Sequence, residues 1–119
     1  MSTSIVELET PKATTIKTTD DRLTVEIADG RMVSVPLAWY PRLVHATHEE
    51  RANWELHVDG EHIHWPDLDE DISVEALLAG KPSGESERSF KRWLKAKQAG
   101  RSVAYHDLMA AKKAEEHAS

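Results

Sequence analysis

NWELHVDGEHIHW, residues 53–65, carries an Asp-Gly pair between two runs in which apolar and polar residues alternate. A period of two sends successive side chains to opposite faces of a strand, and Asp-Gly favours a two-residue hairpin turn. With Asp59-Gly60 at the tip, Val58 falls opposite Glu61, Leu56 opposite Ile63 and Trp54 opposite Trp65. That register gathers the large apolar residues on one face and leaves Glu55, His57, His62 and His64 on the other. A three-residue loop would scatter them, because a slip of one residue reverses the faces of a strand.

The same argument works upstream, in TTIKTTDDRLTVEIADGRMVSVPL, residues 14–37. Here a three-residue loop, Ala28-Asp29-Gly30, sets Val25 opposite Val33 and Leu23 opposite Val35, whereas a two-residue loop sets Val25 opposite Ser34. The spacing therefore predicts the longer loop, with Gly30 supplying the left-handed conformation of a bulge. Thr15 and Ile16 fall on a preceding strand. Between the hairpins, LAWYPRLVHATHEERANWEL (37–56) reads as helical turns. Pro41 suits a first helical position, and Thr47-x-x-Glu50 is a capping box that starts a second short helix. Trp39, Leu43, Val44 and Ala46 are the expected buried set.

Downstream, Pro66 ends the strand and DLDEDIS runs into SVEALLAGKP, with Ser73 as N-cap, Gly80 just past the helix and Pro82 as the stop. KPSGESE is a polar connector. A further helix, SFKRWLKAKQAG, is capped by Ser86 and closed by Gly100, and another begins at Ser102. The fold expectation is α+β: two β-hairpins forming a small sheet packed with short helices, then a C-terminal helical extension. The boundaries are a flexible arm over 1–12, an α+β domain over 13–82 and the extension over 83–119.

At 119 residues, one compact domain plus an appendage is expected. The chain has no cysteine, which excludes disulfides and thiolate sites and fits a reducing compartment. No apolar run approaches membrane-spanning length and the first residues lack signal-peptide character, so a cytoplasmic location is expected. The net charge of −6 is unevenly spread: residues 1–85 hold 7 Lys/Arg against 17 Asp/Glu, a net of −10, and residues 86–119 hold 8 against 4, a net of +4. An acidic body favours a basic protein partner over nucleic acid.

Residues 57–73 hold three histidines and six acidic residues. His57, His62 and His64 with Glu55 belong to the ligand repertoire of zinc or copper. A two-stranded exposed face supplies few partners to fix each imidazole, so these histidines are read as wet-face residues and no metal is assigned. Asp67, Asp69 and Asp71 imitate the start of a calcium loop, but Ile72 stands where that loop needs glycine and Leu78 where it needs glutamate. The run is read instead as helix-flanking carboxylates and as a surface for a basic partner, carried by Asp67, Asp69 and Glu70. His45 and His48, near Glu49 and Glu50, are helix-surface residues. With no phosphate loop, nucleophile elbow or cysteine nucleophile, neither catalytic residues nor a cofactor are expected.

The C-terminal helices carry apolar faces, Phe90, Trp93 and Leu94, then Tyr105, Leu108 and Met109, on segments too short to be stable alone in water. They must dock, either on their own domain or on a partner for which Trp and Tyr are favoured anchors; the partner interface is the expectation taken here. Arg88, Lys91, Arg92 and Lys95 offer a phosphate-contacting face for DNA, but no helix-turn-helix follows them. So short a chain has little room to bury four tryptophans, which points to a homodimer.

From WPDLDEDISVEALLAGKPSGES, with LAWYPRLVHAT and EERANWEL before it, the sequence resembles the bacterial domain-of-unknown-function family 2442 over roughly residues 12 to 95. The resemblance implies a small α+β domain, in some members joined to a DNA-binding helix-turn-helix, and an antitoxin-like role beside a small toxin encoded nearby. It carries no catalytic residues to transfer. The expectation is therefore a non-catalytic protein that occludes a small basic toxin, with a DNA-binding autoregulator as the alternative.

Overall fold

A computed structural model describes residues 10–100, 102–104 and 108. Strands β1 (Ala13–Thr18), β2 (Arg22–Ile27) and β3 (Met32–Pro36) form one antiparallel sheet in the order β1-β2-β3. Two helical turns follow, α1 (Pro41–Val44) and α2 (His48–Ala52), and then β4 (Glu55–His57), β5 (His62–Trp65) and β6 (Glu70–Ser73) build a second three-stranded antiparallel sheet. Helix α3 (Val74–Leu78) leaves β6 directly, and α4 (Glu87–Gln98) lies beyond a polar connector. The fold is α+β. The hairpins do not share one sheet as expected: the strand expected at Thr15 and Ile16 joins the first as edge strand β1, and β6 joins the second.

The first hairpin has the three-residue loop. Val25 lies opposite Val33 and Leu23 opposite Val35, the Ile27 N–H donates to the Arg31 carbonyl at 2.8 Å, and Gly30 sits at φ 95°. The second has the expected ladder, Glu55 opposite His64, Leu56 opposite Ile63 and His57 opposite His62, around an Asp59-Gly60 turn. Val58 departs from the expected apolar row: its φ of 52° turns it outward and leaves it 62% exposed. The strand β6 is the element the sequence reading missed. It pairs Ile72 with Ile63, so the acidic run crosses the sheet before reaching the Ser73 cap.

The remaining termini follow local rules. Thr47 and Glu50 close the capping box, with both reciprocal hydrogen bonds made. Ser73 Oγ accepts from the Ala76 N–H and Ser86 Oγ from the Ser89 N–H. Helix α1 ends against Arg51, whose buried guanidinium donates from Nε to the Leu43 carbonyl (2.8 Å) and from Nη2 to the Val44 carbonyl (3.0 Å). These are the acceptors a helix end leaves open.

A continuous core joins both sheets to α4. Leu23 and Val25 of β2, Ile63 and Trp65 of β5, Leu43, Leu68, Val74 and Trp93 are all fully buried. An indole removes on the order of 200 Å² from water, roughly 5 kcal/mol at about 25 cal/mol per Å². Its N–H then needs an acceptor, and both buried tryptophans have one: Trp65 Nε1 donates to the Arg51 carbonyl at 3.0 Å and Trp93 Nε1 to the Leu68 carbonyl at 2.8 Å.

Candidate functional site

The turn between β5 and β6 concentrates the acidic residues, and it is held from three sides. Leu68 plugs the core, and its N–H closes the turn on the Trp65 carbonyl at 3.1 Å. Asp69 follows at φ 50°, a left-handed conformation that Asp adopts more readily than bulkier residues. From α4, Trp93 clamps the Leu68 carbonyl; from α1, Arg42 Nη1 donates to the carbonyls of Leu68 (3.3 Å) and Asp69 (2.9 Å).

Arg42 is fixed in turn. Its Nε donates to both oxygens of Glu85, at 2.9 and 3.0 Å, and its Nη2 also contacts Glu85 Oε2. Ser89 Oγ donates to the same carboxylate at 2.9 Å, and the guanidinium lies 5.5 Å from the centroid of the Trp93 ring. A forked, two-oxygen pairing of this kind orients as well as attracts. One arginine thus ties α1, the acidic turn, the connector and the start of α4 together.

On this scaffold the carboxylates have different fates. Asp67 is exposed and accepts from Asn53 Nδ2 at 3.0 Å. Asp71 is exposed, with Oδ1 3.3 Å from His62 Nδ1. Asp69 is half-buried. Glu70 is drawn in: its Oε1 accepts from the Asp71 N–H at 3.1 Å, while its Oε2 is buried with no hydrogen-bond partner among the described residues. Burial pushes Glu70 up to about 7, against the pull of Arg42. Arg42, Asp69, Glu70, Asp71, Ser83 and Glu85 line a cleft of about 350 Å³. A neighbouring cleft of about 260 Å³ shares Glu70 and is lined also by Tyr40, whose hydroxyl burial pushes up to about 12.

The sequence-predicted anchors fall out differently. Trp93 is fully buried in its own domain and Leu108 is 5% exposed, so neither is a free anchor for a partner. Amphipathic spacing identifies an apolar face but not what covers it, and here the chain covers its own. Phe90 and Leu94 are half-buried against the same core, Phe90 stacking on Trp93 at 5.8 Å. Tyr105 and Met109 lie outside the described residues. Arg88, Lys91 and Lys95 are exposed and Arg92 half-buried on the outer side of α4, and Lys91 pairs with Glu87 at 3.0 Å. Lys97 points inward to Glu50 at 2.9 Å; burial pushes Glu50 up, but the Thr47 N–H and Lys97 together bring it below the usual carboxylate range.

The histidine face of the second sheet is wet. His57 lies 5.0 Å from His64 and 3.0 Å from Glu55, and His62 turns to Asp71 on β6. Among the described residues no group of three or more His, Asp or Glu side chains is arranged to hold a metal ion. No described helix is long and apolar enough to cross a membrane.

Arg42 and Glu85 were the residues sequence reasoning passed over. They are 43 positions apart, one in an apolar helical turn and one in a polar connector, and no local pattern links them.

Curated proteins show no match to the chain. A protein of unknown function from Rhodospirillum rubrum ATCC 11170, solved by crystallography, is 24% identical with a TM-score of 0.56 over 65% of this chain and 95% of its own, and it shares the fold. The model of a family described as "protein of unknown function", DUF2442, matches residues 13–83, more than half of the chain, and the chain belongs to that family.

Proposed function

We propose that this protein is a non-catalytic binding module that presents the turn between β5 and β6 to a small basic protein, in the manner of an antitoxin covering its toxin. The supporting observation is the rigid seating of the acidic turn: Arg42 and Trp93 hold its backbone carbonyls while Asp67 and Asp71 face solvent. Carboxylates already fixed in place lose little conformational entropy on binding, and like-signed charges grouped on one surface raise encounter rates with an oppositely charged partner. The surrounding acidic body adds to the same field.

The test is co-purification with the product of the adjacent gene. Asp67→Lys/Asp71→Lys reverses two exposed charges without touching the clamp, and it is expected to reduce the co-purified partner severely. Undiminished co-purification would remove this surface from the binding site.

A second reading has one observation in its favour. Arg88, Lys91, Arg92 and Lys95 share the outer side of α4, and among the described residues only Lys91 of the four pairs with a carboxylate. A stripe of that kind suits phosphates, and binding through it should weaken steeply with salt. Retardation of the DNA upstream of the gene at low salt, lost in Lys91→Glu/Lys95→Glu, would support it; no retardation at low salt would dispose of it.

A further inference from the structure

Arg42 is the single cation among the described residues lining the larger cleft, and its donors are committed to Glu85 and to two backbone carbonyls. Glu70 keeps the Asp71 N–H on Oε1, but its buried Oε2 has no donor among the described residues. Among the described residues the groups around it are few. Asp69 and Asp71 come from its own turn and strand, Arg42 from α1 and Tyr40 from just before it, and Glu85 and Lys81 from the connector. From α4 only the uncharged Ser89 lines the cleft. An ionised Glu70 is therefore a buried charge, and the cation among the described residues that acts on it, Arg42, already serves another carboxylate; that arrangement is costly unless the charge is removed or the cation is shared.

We propose that Glu70 is a proton-operated latch between the acidic turn and α4. Neutral, it leaves the clamp of Arg42 on Glu85 undisturbed. Ionised, it competes with Glu85 for the same guanidinium and loosens the helix that Glu85 and Ser89 help to seat. The latch concerns the chain's own conformation and stands independently of any partner.

The direction follows from linkage. Burial raises Glu70 from an unfolded value near 4.5 to about 7. The stabilisation it contributes is fully present below the unfolded value and is lost as pH rises through the folded one. If α4 opens with Glu70 exposed, the opening equilibrium should grow about tenfold between pH 6 and pH 8.

Amide hydrogen exchange of residues 87–98 in the full chain, corrected for the intrinsic effect of pH, tests this. Protection of α4 in the wild type is expected to fall about tenfold from pH 6 to pH 8, and in Glu70→Gln to stay level. An equal response in both proteins overturns the proposal. A carboxyl-carbon NMR titration of the wild type keeps the question decidable if Glu70→Gln folds poorly. A Glu70 midpoint near 7 shared by the α4 amides is expected; a midpoint in the ordinary carboxylate range, or α4 amides that ignore it, overturns the latch.

Discussion

Gly60 has the least latitude of the residues in the second hairpin. It sits at φ 100°, and a Cβ added there would lie 2.8 Å from the backbone oxygen of Ala13. Both obstacles act together, because the turn packs on β1 and Asp59 pairs with Lys12 at 3.0 Å. Gly30 has a similar φ of 95° but open space around it. Gly30→Ala should therefore lose only the conformational term, about 1–2 kcal/mol. Gly60→Ala should lose that and a steric term, roughly 3 kcal/mol in all. Urea unfolding of the two variants checks the difference, and equal losses would mean that the hairpin does not rest on β1 as described.

At the scale of elements, α4 decides how the acidic turn is held. Twelve residues make a marginal helix alone, so its order comes from Trp93, Ala96 and the Lys97–Glu50 pair. Trp93→Phe keeps most of the apolar volume but removes the hydrogen bond to the Leu68 carbonyl. It is expected to lower stability by about 1–2 kcal/mol and to speed amide exchange at residues 68–71. A stability loss with unchanged exchange at the turn would reduce Trp93 to packing alone. The hairpin registers, the capping box and the three serine or threonine caps were legible, because each rests on a period or spacing within a dozen residues. The strand β6 was not, since EDIS is an unusual composition for a strand and is recruited by its neighbour β5 rather than by its own propensity. Nor was the destination of Trp93 legible, for an apolar helix face looks the same whether its own core or a partner covers it. Of the candidate site, the acidic residues themselves could be read; the Arg42 and Glu85 clamp that divides them into exposed and buried could not.

For the whole molecule, the acidic turn and the described cations fall on adjoining elements, the turn being seated on α4 through Trp93. The acidic turn and the cleft lie where the family-matched region meets α4, and the exposed cations lie along the outer side of that helix. The family match ends at residue 83, yet Glu85, Ser89 and Trp93 beyond it complete the support of the turn, so the C-terminal helix is part of what presents the site. If the molecule works by covering a basic partner, affinity should depend on salt and on the turn more than on the helix's outer face. The direct measurement is the dissociation constant for the product of the adjacent gene, by calorimetry at two salt concentrations. Asp67→Lys/Asp71→Lys should weaken binding about tenfold or more, ~1.4 kcal/mol, and Lys91→Glu/Lys95→Glu should leave it within about twofold. The reverse ranking, binding lost with the helix charges and kept without the acidic turn, would contradict it.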